Sequence, residues 1–170
     1  MRKVAIVTSA SGSGGTTVGR QIAARLDVPF HELDALFWQP DWTESDPDDF
    51  RVRVAEVVAT DGWVIDGSYQ GKLGDLVLGS ADAVVWLDLP MRVWLPRLLR
   101  RTIARTRSGE ALWAGNRESL RVSFASRDSL LLFTLRHYRR RRRRYPIRFA
   151  QYELVRLRSQ HEIDRFLRSL

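Results

Sequence analysis

The most constraining feature of this sequence is its opening. A strand-like run over residues 4–8, apolar through Val7, gives way to Ser9-Ala10-Ser11-Gly12-Ser13-Gly14-Gly15, after which Val18, Ile22, Ala23 and Leu26 recur at helical spacing. A run without polar alternation suits a strand covered on both faces, and a helix with one apolar stripe supplies such a cover. The same alternation continues along the chain. Residues 29–32, 63–66, 83–87 and 153–157 read as further strands, and residues 47–59 as a helix with Pro47 in its first turn. Residues 91–107 and 116–142 read as long basic helices, and 160–169 as a closing helix. Short strands separated by helices need crossovers that pass over a sheet face, so the expected fold is α/β, a parallel sheet between two helical layers. With 170 residues, 44% of them hydrophobic, a single domain spanning residues 1–170 is expected.

Small residues between a strand and a helix let successive backbone N–H groups turn inward around an anion, and the helix N-terminus adds positive potential. Ser11, Gly12, Ser13, Gly14, Gly15, Thr16 and Thr17 are therefore expected to hold nucleotide phosphates; the same residues would also serve a plain turn. Against the phosphate-binding pattern G-x-x-x-x-G-K-[ST], Gly14 and Thr16 match, Ser9 stands at the first glycine and Gly15 at the lysine. That lysine carries a point charge to the β and γ phosphates, and Gly15 cannot. Binding is expected to survive, with Thr16 as a ligand for Mg²⁺, while turnover falls. Losing one preorganised donor costs about 10² to 10³ in rate. Lys72 and the arginines after the fourth strand are candidate substitutes, whereas Arg20 lies about one helical turn past the loop and is expected to point away.

Asp34 and Asp66 fall just beyond the C-terminal ends of strands two and three, where open α/β sheets place their ligands. Two carboxylates beside a phosphate loop can hold Mg²⁺ through water, and one can take a proton from an attacking hydroxyl. Both residue types also serve turns and helix caps. Arg97, Arg100, Arg101 and Arg105 repeat at three and four residues and so share one helix face, either closing over a transferring phosphate or facing solvent. Arg117 and Arg121 are weaker candidates of the same kind. His31 beside Glu32 lacks a second nearby histidine and reads as a packing residue. Trp38, Trp42 and Tyr69 suit either a core or the wall of an acceptor pocket.

Five pieces together carry a resemblance: the loop followed by Thr16-Thr-Val-Gly-Arg20, His31-Glu-Leu-Asp-Ala-Leu-Phe-Trp38, Val64-Ile-Asp-Gly-Ser-Tyr69, Ala81-Asp-Ala-Val-Val-Trp-Leu-Asp-Leu-Pro90 and Leu157-Arg-Ser159. In this order and spacing the chain resembles the small adenylate-kinase-like P-loop proteins known as DNA topology modulation proteins. Nucleoside monophosphate and shikimate kinases are more distant relatives. The resemblance implies a P-loop NTPase three-layer sandwich with strand order 2-3-1-4-5 and an arginine-bearing helical lid over about residues 97–142. It implies ATP and Mg²⁺, with Asp34 touching the phosphate acceptor and Asp66 approaching the metal. Arg97, Arg101 and Arg105 become lid arginines, and Arg158 and Ser159 border adenine. The function so implied is transfer of the γ-phosphoryl group of ATP to a small acceptor. A weakened nucleotide-binding regulator is the alternative that Gly15 supports.

Charge adds a third reading. Residues 1–90 hold 7 basic and 14 acidic groups, and residues 91–170 hold 21 and 6. The second half should attract anions, and only Lys3 and Lys72 among the basic residues are lysines; arginine's planar fork suits phosphate. Arg139, Arg140, Arg141, Arg142, Arg143 and Arg144 are consecutive, and would bind nucleic-acid phosphates or simply end a solvated helix. No base-reading motif accompanies them. The absence of cysteine removes disulfides and thiolate sites and suits a reducing, cytoplasmic setting. The longest apolar stretches, 83–87 and 130–133, fall well below the roughly 18 residues that span a bilayer, and no export or membrane segment is expected.

Overall fold

The structure, a computed structural model, describes residues 1–117 and 130–170. Strands β1 (Lys3–Thr8), β2 (Phe30–Glu32), β3 (Trp63–Asp66), β4 (Ala83–Leu87) and β5 (Leu154–Leu157) form one sheet in the order β2-β3-β1-β4-β5. Every pairing is parallel, with Ala5 opposite Ile65 on one side and Val84 on the other. This is the order that the resemblance implied.

Successive side chains of a strand point to opposite faces, and the two cores divide accordingly. Ala5, Val7, Trp63, Ile65, Val84 and Trp86 join Phe37, Phe50 and Leu73 in one cluster. Val4, Ile6, Val64, Val85 and Leu87 join Val18, Ile22, Ile163 and Leu167 in the other. The first face is covered by α2 (Leu33–Phe37), α3 (Pro47–Val58), α4 (Gln70–Leu73) and the end of α6 (Leu130–Arg148); the second by α1 (Gly15–Leu26) and α7 (Gln160–Arg168). A third cluster places Ala10, after β1, against Trp94 and Leu98 of α5 (Met91–Ser108) and Tyr138 of α6.

The helix starts follow local chemistry. Pro47 opens α3 behind Asp46, whose carboxylate accepts from the N–H groups of Asp48 and Asp49 at 2.9 and 3.2 Å. Ser159 caps α7 by accepting from Glu162 N at 3.2 Å.

One expected helix differs. Residues 116 and 117 belong to a turn rather than to the helix expected over 116–142; of that helix the described part, α6, spans Leu130–Arg148 and so runs past the expected end through Pro146. Its far end is held by rings beyond the arginine run, Tyr145 lying 5.6 Å from Trp86 and 4.5 Å from Phe149. Periodicity fades in the arginines, so the anchor is visible only in the packing. Arg121 and part of the expected lid lie outside the described residues. Among those described, no helix is long and apolar enough to cross a membrane.

Candidate active site

β1 ends at Thr8, and the chain turns through Ser9 to Gly14 before α1 begins at Gly15. Gly14 adopts φ 88° and supplies no side-chain cap. The N–H groups of Gly15, Thr16 and Thr17 lie beyond the reach of helical carbonyls, and a helix start of this kind can receive an anion. Gly12, at φ 84°, presses on α5: a Cβ there would stand 2.6 Å from the Trp94 carbonyl oxygen. Ser13 is buried, and its Oγ has no hydrogen-bond partner among the described residues. A buried orphan hydroxyl within a loop of open N–H groups fits a phosphate.

Asp66 closes β3 beside this loop, where Thr16 Oγ1 donates to Asp66 Oδ2 at 3.0 Å. A Cβ on Gly15 would meet Asp66 Oδ1 at 2.5 Å. The first atom of a lysine side chain would therefore collide with this carboxylate. Burial pushes the Asp66 carboxyl up to about 7 against the pull of the Thr16 hydrogen bond; Asp34 and Glu32 push it further, and Arg101 draws it down.

Asp34 lies in α2, where Tyr69 Oη donates to its Oδ1. Burial raises this carboxyl too; the Tyr69 bond opposes the shift, Glu32 adds to it and Arg101 lowers it. Tyr69 sits in the left-handed region at φ 41°, its ring 4.8 Å from Phe37 and 5.3 Å from Phe50. Its phenol is raised, first by burial and then by the Asp34 charge. Glu32, noted in the sequence only as a neighbour of His31, accepts from Arg20 at 3.0 Å and from Trp113 Nε1 at 3.1 Å. His31 lies half-buried in β2, and burial lowers its pKa.

Among the described residues, no three His, Cys, Asp or Glu side chains are grouped to hold a metal ion. A Mg²⁺ here would rely on Thr16, Asp66, water and substrate oxygens, which is how that ion usually binds beside phosphates.

The basic candidates separate. Arg101 acts electrostatically on both Asp34 and Asp66. Arg97 donates to Gln160 at 3.1 Å, Arg100 is exposed and bonds the Pro96 carbonyl of its own helix, and Arg105 lies 3.6 Å from Glu110. Lys72 pairs with Glu44 at 2.8 Å and stands over the Phe37 ring, so the structure commits this proposed substitute elsewhere. Arg20 pairs with Glu32. The Arg158 N–H donates to Glu162 at 2.6 Å. Arg117 is exposed, its carbonyl accepting from Trp42 Nε1 at 3.3 Å.

The aromatics build a wall that sequence reasoning only partly foresaw. Trp38 packs on Phe37 and on Trp42, and Trp42 lies 6.3 Å from Trp113. Asn116, unflagged by any motif, joins the two turns. It accepts from Trp42 N at 2.9 Å and donates to the carbonyls of Gln39 and Trp113 at 2.8 and 2.9 Å.

Comparison with solved structures decides the fold type. A shikimate kinase from Bacteroides thetaiotaomicron superposes with a TM-score of 0.59 at 15% identity, covering 99% of this chain and 95% of that one. The chain has the fold of the P-loop kinases. A shikimate kinase from Acinetobacter baumannii in complex with shikimate matches with a TM-score of 0.57 at 14% identity, over 99% and 90% of the two chains. A gluconokinase from Sinorhizobium meliloti 1021 matches with a TM-score of 0.55 at 22% identity, over 98% and 87%. In sequence, the uncharacterized protein YqaC of Bacillus subtilis (strain 168) is 26% identical over 132 residues, which cover 76% of this chain and 73% of that protein. No protein-family model matches the chain.

Proposed function

We propose that this P-loop kinase fold binds ATP with Mg²⁺ and passes the γ-phosphoryl group to a small hydroxyl- or phosphate-bearing acceptor, as a DNA topology modulation protein whose phosphate loop has glycine in place of lysine. The observation that carries this reading is the meeting of Thr16 and Asp66 at 3.0 Å beside an uncapped helix N-terminus.

The loop N–H groups from Ser11 to Thr17 would hold the phosphates, and Thr16 with Asp66 would hold Mg²⁺, which supplies charge neutralisation at the phosphate oxygens when bound. Asp34, with one oxygen fixed by Tyr69, keeps the other for the proton of the acceptor hydroxyl as the new O–P bond forms and ADP leaves. Arg101, near both carboxylates, is the best-placed cation to offset the missing lysine. Arg97, Arg105 and Arg158 retain supporting roles in phosphate and adenine contact. A neighbour carrying shikimate makes small polyhydroxylated acids the first acceptors to try.

A second reading, a binder with weakened turnover, is favoured by Asp66 standing where a lysine stem would begin. Calorimetric titration with Mg-ATP, followed by ADP-release assays on nucleotides and small hydroxylated acids, separates the two. Turnover with any acceptor supports the kinase, and binding without turnover supports the binder. Absence of binding removes both. Gly15→Lys is the companion variant: turnover that appears only there assigns the native chain to the second reading. Nucleic-acid binding draws its support from the basic second half of the chain, where Arg139, Arg140, Arg143 and Arg144 are exposed. Duplex affinity that failed to fall steeply between about 50 and 200 mM salt would exclude it.

A further inference from the structure

Asp88 directly follows β4 and is fully buried. Its Oδ1 accepts from Arg142 Nε at 2.8 Å and from Ser9 Oγ at 2.9 Å. Its Oδ2 accepts from Arg156 Nη2 at 2.6 Å and Nε at 3.1 Å. Both guanidiniums are themselves placed by rings. Arg156 stacks 4.2 Å from the Trp86 ring, and Arg142 lies over Tyr138, whose hydroxyl donates to the Leu89 carbonyl at 3.2 Å.

Stability alone gives a weak reason for such a cluster. Buried ion pairs can often be replaced by apolar residues at no cost, and what they retain is a defined position. The group whose position is defined here is Ser9. It donates through Oγ to Asp88, accepts there from Trp86 Nε1 at 2.8 Å, and donates through its N–H to the Leu87 carbonyl at 3.1 Å. Ser9 occupies the first position of the phosphate loop, where the pattern has glycine. The next residues are constrained from the other side: Ala10 packs under Trp94 and Tyr138, and Ser13 N donates to the Ala10 carbonyl at 3.3 Å.

We propose that Asp88 is a positioning residue for the phosphate loop, fixing its start through Ser9 while Arg142 of α6 and Arg156 of β5 hold the carboxylate. The proposal rests on the phosphate-binding reading above. It explains why serine stands at the first loop position and gives one member of the arginine run a structural task. One carboxylate and two guanidiniums also leave a net positive charge at the base of the loop, on the side an anion favours. A loop already held in its binding shape loses less freedom when it closes around a ligand.

The test is Ser9→Ala, which removes the hydroxyl with little change in volume, alongside Asp88→Asn. Circular dichroism and thermal melting establish that each variant is folded at the assay temperature; Ser9→Ala carries the test if Asp88→Asn does not fold. Calorimetry then follows Mg-ATP, inorganic tripolyphosphate and adenosine. The expected result is a rise of about tenfold in Kd for both polyphosphates with adenosine unchanged, a selectivity that general destabilisation would not produce. Unchanged polyphosphate affinity in Ser9→Ala, or an equal loss for adenosine, overturns the proposal. Failure of the wild-type protein to bind either polyphosphate overturns the phosphate-binding reading itself and the proposal with it.

Discussion

Position 15 carries no side chain, and a neighbour's carboxylate borders the space one would take. A Cβ there would stand 2.5 Å from Asp66 Oδ1. This has a consequence for pH. The ordinary Asp66 value is 3.8, and in the folded chain it rises to about 7, so across that window the folded state holds a proton that the unfolded state has released. Stability should therefore fall as pH rises from about 4 to 7. Asp34, raised by burial, contributes with the same sign, and His31, lowered by burial, with the opposite one. Asp66→Asn removes the largest contributor. Urea midpoints at pH 5 and pH 7.5 should differ less in that variant than in the wild-type protein; an equal difference would show that Asp66 does not titrate in this window. Thr16, Asp34 and Asp66 could be picked out as candidates from the sequence because strand ends and loop patterns are local. Their mutual contact could not, since Thr16 and Asp66 are 50 residues apart.

At the scale of elements, two short turns do work that no periodicity announced. The turn closed by the Trp38–Glu44 bridge and the turn closed by the Ala111–Arg117 bridge dock through Asn116, which is 6% exposed. Replacing Asn116 by alanine leaves Trp42 N and the Gln39 carbonyl without their partner, at a cost of about 2 kcal/mol. Trp42 is 38% exposed and packs on Trp113, so the same change should also shift tryptophan emission to the red. Unchanged stability and emission would mean that the two turns hold together without this residue. α2 and α4, of five and four residues, also escaped sequence reading, because one turn of helix shows no repeat. The arginine helix was legible in kind but not in extent. Its apolar signal fades at the arginines and resumes at Tyr145 and Phe149, whose partners are Trp86 and Tyr152 elsewhere in the chain.

At the scale of the whole molecule, a ligand that binds only the folded chain must stabilise it. With Mg-ATP at a hundred times its Kd the gain is about 2.7 kcal/mol, readable as a rise in Tm that grows with nucleotide concentration. A Tm indifferent to saturating Mg-ATP would deny the loop a phosphate-binding role. The parallel sheet was legible in the sequence, because apolar runs separated by helices need crossovers that cover both faces; its strand order followed from the resemblance and not from periodicity. The tertiary structure alone decided which polar groups meet. Thr16 finds Asp66, and Asp88 gathers Ser9, Arg142 and Arg156 from 79, 54 and 68 residues away. Periodicity acts over a few residues and so records which face a side chain takes; its partner there depends on how distant elements close on one another.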